Sequence, residues 1–151
     1  MTEKLASRSL VACLAVCLAL CCLCLAACGG SGGELKDGTY TGQSSEFEGD
    51  AVDGAGYGVA TVTIKGGKIA DCTFETFELD GNKKDENYGK SLAGNKNKYT
   101  KAQNAVNECP EYAKSLVDAG SLDGVDTISG ATVNGDQFRE AVEDALAQAR
   151  A

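Results

Sequence analysis

Tyr57-Gly58-Val59-Ala60-Thr61-Val62-Thr63-Ile64-Lys65-Gly66-Gly67-Lys68-Ile69-Ala70-Asp71-Cys72-Thr73-Phe74 is the stretch on which the fold turns. Its first nine residues alternate, with Ala60, Val62 and Ile64 on one side and Val59, Thr61 and Thr63 on the other. A period of two, rich in β-branched residues, describes a strand with one face on a core. Gly66-Gly67 follows, a pair that tolerates the positive φ of a two-residue hairpin turn. The return strand runs from Lys68 to about Leu79, with Ala70, Cys72 and Phe74 in phase. Phe77 and Leu79 fall out of phase, which predicts a β-bulge or an end to pairing near Glu75.

On the N-terminal side, Asp37-Gly38-Thr39-Tyr40-Thr41-Gly42 reads as a short entry strand between turn residues. Gln43 to Gly56 is polar and glycine-rich, the composition of an exposed loop. Its acidic residues Glu46, Glu48, Asp50 and Asp53 lack the ligand ladder of a calcium-binding EF-hand. Gly54, Gly56 and Gly58 precede a strand, whereas the dinucleotide fingerprint follows one and opens a helix.

On the C-terminal side the pattern becomes helical. Thr100 to Asn107 predicts one helix, ended by Cys109-Pro110 because proline removes a donor and displaces its predecessor. A second helix, Glu111 to Ala119, follows with Tyr112, Ala113, Leu116 and Val117 as its apolar face and Gly120 as its C-cap. The closing helix, about Gly135 to Ala149, places Phe138, Ala141, Val142, Ala145, Leu146 and Ala149 on one stripe that must pack on the sheet. The expected fold is therefore α+β, a small antiparallel β-sheet packed by C-terminal α-helices, in one domain covering residues 37–151. No internal repeat is present.

Just before the closing helix stands Asp126-Thr127-Ile128-Ser129-Gly130-Ala131-Thr132. Gly130 can reach positive φ, Ala131 keeps the next step narrow, and Thr132 presents a hydroxyl at a helix entrance. Unpaired N–H groups and the helix dipole make such an entrance welcoming to a phosphate. The plainer alternative is that Thr132 or Asn134 only caps the helix.

Asp126-x-x-Ser129-Gly130-Ala131-Thr132 resembles the flavinylation motif of FMN-binding domains in extracytoplasmic electron-transfer proteins. These include the flavin subunits of sodium-pumping and related membrane redox complexes, and flavin lipoproteins. The resemblance implies FMN held by a phosphodiester bond to Thr132 and installed from FAD by a separate flavin transferase. Asp126, Ser129, Gly130 and Ala131 complete the recognised sequence. It also implies an electron-relay role between a membrane donor and an extracytoplasmic acceptor. The entry strand and hairpin resemble the N-terminal half of that domain. Many members carry a Thr-Pro-Gly loop after the hairpin; here Asp80 to Gly89 is closer to the variant of Gram-positive flavin lipoproteins. Tyr88 and Tyr57 are then the candidate rings to stack on the flavin, with ordinary packing as their alternative role.

Met1 to Ala27 reads as a leader. Lys4 and Arg8 precede an almost unbroken apolar run, and Leu25-Ala26-Ala27-Cys28 resembles the lipobox of bacterial lipoproteins, in which Cys28 receives lipid. An uncleaved anchor is the rival, since the run approaches the roughly 20 residues that span a bilayer. The small residues before Cys28 and the tether Gly29 to Gly33 favour cleavage. Residues 28–36 are then the lipidated cysteine and a flexible linker, and the domain is lipid-anchored to the cell membrane, facing outside the cytoplasm.

Cys13, Cys17, Cys21, Cys22 and Cys24 belong to the leader, where cysteine acts as a small hydrophobe. Cys72 and Cys109 remain in the domain, either as one disulfide or as two buried free thiols. Two sulfurs cannot hold a four-cysteine iron–sulfur cluster. The chain has 151 residues, with 14 basic and 22 acidic side chains, a formal net charge of −8 and no histidine. That charge disfavours nucleic acid and anionic lipid surfaces. Without histidine there is no Ser-His-Asp arrangement, no histidine-ligated zinc and no imidazole to activate Thr132, which agrees with the transferase acting in trans that the resemblance implies. The alternative from another class is a non-redox lipoprotein that binds a small ligand or surface partner. A third reading makes the domain a subunit of a larger reductase.

Overall fold

A computed structural model describes residues 34–50 and 53–151, which belong to a unit running from Glu34 to Ala151. The leader, Cys28 and the tether Gly29 to Gly33 lie outside the described residues.

Three strands, β1 (Gly38–Gln43), β2 (Tyr57–Lys65) and β3 (Lys68–Phe77), form an antiparallel sheet in the order β1-β2-β3. The alternation in β2 is obeyed: Ala60, Val62 and Ile64 are buried while Val59, Thr61 and Thr63 stay half-covered. Gly66 and Gly67 turn the hairpin at φ +60° and +70°, the left-handed pair that matches strand twist. The Asp37 carboxylate accepts the Gly67 N–H at 3.0 Å, and hydrogen bonds from the turn's backbone lower its pKa.

The irregularity in β3 sits elsewhere than expected. Thr63 pairs with Asp71 but Ile64 pairs with Ile69, so Ala70 is the extra residue of a bulge. Ile69 is therefore buried, and both Ala70 and Asp71 are exposed. The physical reason is core demand: a strict period of two would send Ile69 to solvent and waste its apolar side chain. Pairing then runs on past Glu75 to Phe77, whose ring stacks on Tyr57 with centroids 5.5 Å apart.

Two helices cover one face of the sheet, α1 (Lys96–Ala119) on β3 and α2 (Thr132–Arg150) on β1 and β2. The expected break at Cys109-Pro110 does not occur; Pro110 lies inside α1. Proline costs an interior helix about 3 kcal/mol or more. Against that, Cys109, Tyr112, Ala113 and Leu116 are buried on a single face, at roughly 1.5–3 kcal/mol for each large apolar side chain. The carbonyl of Ala105, one residue before the one Pro110 leaves unbonded, accepts Asn134 Nδ2 of α2 at 2.6 Å and Cys109 Sγ at 3.4 Å. α1 begins four residues earlier than expected because Asn95 caps it, accepting the Lys98 N–H. Gly120 ends it at φ +73°.

The stripe Phe138, Ala141, Val142, Ala145, Leu146 and Ala149 is buried throughout. Phe138 forms the centre, edge-on to Phe74 at 5.0 Å and stacked on Tyr112 at 5.4 Å. α2 comes so near β1 that a Cβ on Gly42 would lie 2.1 Å from the Ala141 carbonyl oxygen. Side chains of α2 also tie down β1: Gln148 donates to the Thr41 carbonyl at 2.8 Å, and Asp144 accepts the Gln43 N–H at 3.1 Å. Free edge groups of a strand are satisfied in this way. Among the described residues no helix is long and apolar enough to cross a membrane.

Candidate functional site

The segment Asp126 to Thr132 forms the turn that delivers the chain into α2. Gly130 stands at φ +89° with no atom within 4 Å of a Cβ built on it. Backbone conformation, rather than crowding, calls for glycine there. Asp126, Ser129, Gly130 and Thr132 are exposed, Ile128 is half-buried against the core, and Ala131 is buried. The turn thus offers its polar atoms to solvent while Ile128 and Ala131 grip the domain.

α2 starts at Thr132, earlier than the periodicity of its apolar stripe indicates. Its N-cap is Ala131, and no side chain caps it. Neither Thr132 nor Asn134 serves as the cap: Asn134 is buried and donates to Ala105 of α1. The Gly135 N–H bonds back to Ala131. The first N–H groups of a helix, without an intrahelical partner, point outward beside the positive end of its dipole.

Two side chains to which the sequence reading gave no part in this turn hold it. Tyr112, buried in α1, donates its hydroxyl to the Ala131 carbonyl at 3.1 Å and accepts the Ile128 N–H at 3.0 Å. Arg139, two turns into α2, donates to the carbonyls of Leu122 and Val125 just upstream of the turn.

Beside the entrance to α2 opens a cleft of about 200 Å³. Val133 and Asn134 of α2 form one wall, Lys98, Lys101 and Ala102 of α1 another, and Asp50, Asp53 and Gly54 a third. Thr76 of β3, Lys84 and Tyr88 also line it, with Leu92, Ala105 and Val106 as its apolar part. In a chain of net charge −8, three lysines here face two aspartates. Lys101 pairs with Asp53 at 2.9 Å. Lys84 is buried, lies 5.0 Å from the centroid of the Tyr88 ring, and donates to the Gly54 carbonyl at 3.4 Å. Desolvation by burial lowers its pKa, against the pull of Glu78 and Asp53, and raises that of Tyr88.

Of the two candidate stacking tyrosines, Tyr88 lines this cleft, whereas the Tyr57 ring is taken by Phe77. Lys84 and Tyr88 both come from the segment Asp80 to Gly89. A Lys83-Lys84 pair in a polar loop reads as solvated charge; no local signal marks the second as buried.

Cys72 and Cys109 are free thiols, both buried. Burial, with Asp71 nearby, pushes the Cys72 thiol up to about 12, and burial pushes Cys109 up to about 11. Such thiols are poor nucleophiles. Cys109 Sγ lies near Thr76 Oγ1 at 3.9 Å and Asn134 Nδ2 at 3.8 Å, as a packing group behind the cleft.

No curated protein matches the chain. Among solved structures it is similar to the crystal structure of the CPE2226 protein from Clostridium perfringens, with 25% identity and a TM-score of 0.55. That similarity covers 76% of this chain and 88% of the other. The model of the FMN-binding domain matches residues 54–147, taking in the hairpin, α1, the turn and nearly all of α2. With more than half of its length matched, the turn and most of the cleft's lining included, the chain belongs to the FMN-binding domain family.

Proposed function

We propose that this protein is a lipid-anchored extracytoplasmic flavoprotein that relays electrons through FMN bound covalently to Thr132. The observation that carries the reading is an exposed threonine at the uncapped start of α2, beside a lysine-lined cleft, in a chain of the FMN-binding domain family.

The residues present fit such a group. A phosphodiester on Thr132 Oγ1 keeps one negative charge, which the free N–H groups and dipole of α2 favour. Val133 and Asn134 lead from that point into the cleft, whose lysines and Tyr88 suit a flat ring that bears carbonyl oxygens and gains negative charge on reduction. Gly130 and Ala131 keep the turn slim, so that a transferase can reach the hydroxyl. Ser129 and Asp126, both exposed, are the polar groups it would recognise.

In the attachment step the Thr132 hydroxyl oxygen attacks the FMN-side phosphorus of FAD. A phosphorus–oxygen bond to Thr132 forms, the pyrophosphate bond breaks, AMP leaves, and the hydroxyl proton passes to a base of the transferase. This chain itself has no histidine to take that proton. When bound, the flavin supplies the redox chemistry, and the protein holds and tunes it. A covalent link suits an exported carrier, which would otherwise lose a diffusible cofactor. The glycine-rich tether after Cys28 gives the domain reach between a membrane donor and an external acceptor.

Intact-protein mass spectrometry tests this. Co-expression with a flavin transferase adds one FMN moiety, absorbing in the visible, and Thr132→Ala abolishes it. A colourless, unmodified protein from its own host, with residue 132 recovered bare in a digest, overturns it.

A further inference from the structure

Lys84 enters the cleft from the loop after β3 and is only 9% exposed. A buried ammonium ordinarily has a carboxylate beside it, because an isolated charge is costly to desolvate. Among the described residues no carboxylate lies within ion-pair distance of this one. Its contacts are a long hydrogen bond to the Gly54 carbonyl and the face of Tyr88. Neighbouring Lys101 takes Asp53 for itself.

The surrounding backbone is shaped around this amine. A Cβ on Gly56 would lie 2.7 Å from Lys84 Nζ, and one on Gly54 would lie 2.3 Å from the Tyr88 hydroxyl oxygen. The two glycines before β2 leave room for the ammonium and for the ring beneath it. A desolvated cation with no carboxylate in contact, on which Glu78 and Asp53 act only from beyond ion-pair distance, in a pocket walled by the first residues of α2, is arranged for an anionic ligand. The lowering of its pKa by burial agrees: desolvation outweighs the pull of Glu78 and Asp53.

We propose that Lys84 is the cation that receives the carbonyl-bearing pyrimidine edge of the flavin tethered at Thr132, and that it favours the reduced ring over the oxidised one. This rests on the flavin reading given above. Reduction places two electrons and one proton on a neutral ring and leaves it with one negative charge. The electrons come from an external reductant, dithionite in the experiment, and the proton from water. Lys84 neither gives nor takes either; its fixed charge stabilises the product more than the reactant. Tyr88 keeps the ammonium in place from the other side.

The test uses the full chain, flavinylated in cells by a transferase, as wild type, Lys84→Met, Lys84→Arg and Lys83→Met. Mass spectrometry reports the adduct on Thr132, and equilibrium titration with dithionite against reference dyes reports the midpoint potential. All four proteins are expected to carry the adduct. In Lys84→Met the equilibrium shifts at least tenfold toward the oxidised ring, a fall of about 30 mV for a two-electron couple. Lys84→Arg, which keeps the charge, recovers most of that shift. Lys83→Met keeps the wild-type potential, because Lys83 is exposed and pairs with Glu75 outside the cleft. Lys84→Gln carries the same expectation as Lys84→Met and replaces it if the methionine variant melts at lower temperature than wild type. An unchanged potential in adduct-bearing Lys84→Met or Lys84→Gln overturns the role of Lys84 and leaves the flavin reading standing. A wild-type protein without adduct overturns both.

Discussion

The hydroxyl of Tyr112 donates to the carbonyl of Ala131 at 3.1 Å, joining the middle of α1 to the residue that opens α2. The same oxygen accepts the Ile128 N–H at 3.0 Å, so one side chain fixes two points of a four-residue turn. Tyr112 is 1% exposed and stacks on Phe138, which leaves the ring little freedom. Gly135 gives the hydroxyl its space: a Cβ there would lie 2.8 Å from it. Exposed Thr132 therefore stands on a turn anchored from beneath.

Tyr112→Phe keeps the ring packing and removes both hydrogen bonds. The Ile128 N–H loses its partner while the Ala131 carbonyl keeps the Gly135 N–H, and the expected loss is about 1–2 kcal/mol of folding stability. Urea unfolding checks it: the midpoint falls with the slope unchanged. An unchanged midpoint would detach Tyr112 from the turn.

Thr132→Ala separates function from stability. Thr132 is exposed and caps nothing, so its stability cost stays within ~0.5 kcal/mol. Flavin incorporation falls to zero, read by absorbance and mass. A variant that loses both colour and fold would contradict the exposed placement of the hydroxyl.

Gly42→Ala tests the seat of α2 on the sheet. The added methyl meets the Ala141 carbonyl and the Ala145 nitrogen, backbone atoms that a rotamer change cannot move. The helix must shift, at about 3 kcal/mol or more by the scale of core overpacking. Thermal unfolding monitored by circular dichroism gives the answer.

Lys84 imposes a pH dependence on the flavin-free chain. Its folded pKa lies below the ordinary 10.5, so the unfolded chain binds more protons wherever the two values differ. Stability consequently rises with pH across the window from the lowered folded value up to 10.5, and the burden of the buried charge is fully present below it. Lys84→Met should raise the melting temperature at pH 7 by a few degrees and flatten that rise at alkaline pH. Melting curves at pH 7 to 10 for both proteins decide it.

Cys72 and Cys109 are expected to resist alkylation in the native protein, since burial holds both thiols protonated. In denaturant, without reductant, both take up label. Peptide mapping that found either one blocked by a bond to the other would refute the free-thiol geometry.

Much of this architecture is legible in the chain because it is encoded locally. The alternation from Val59 to Ile64 and the Gly66-Gly67 pair specify a hairpin without help from elsewhere. The stripe from Phe138 to Ala149 specifies a helix lying on a sheet. Pro110 misleads for the opposite reason. Its cost is local and visible, while the offsetting burial of Cys109, Tyr112 and Leu116 against other elements is not. The bulge at Ala70 is hidden likewise, since only the assembled core decides that Ile69 outweighs Ala70 as an inward residue.

The sequence by itself determined the strands, the closing helix and the Asp126 to Thr132 turn, because periodicity, glycine conformation and short motifs act within a few residues. Only the tertiary structure decided that Lys84 is buried while adjacent Lys83 is exposed, that Tyr88 rather than Tyr57 faces the cleft, and that the two cysteines are unbonded. The environment of each of those groups is made by segments distant along the chain. Desolvation, which sets the charge and reactivity of a side chain, is a property of that assembled surround.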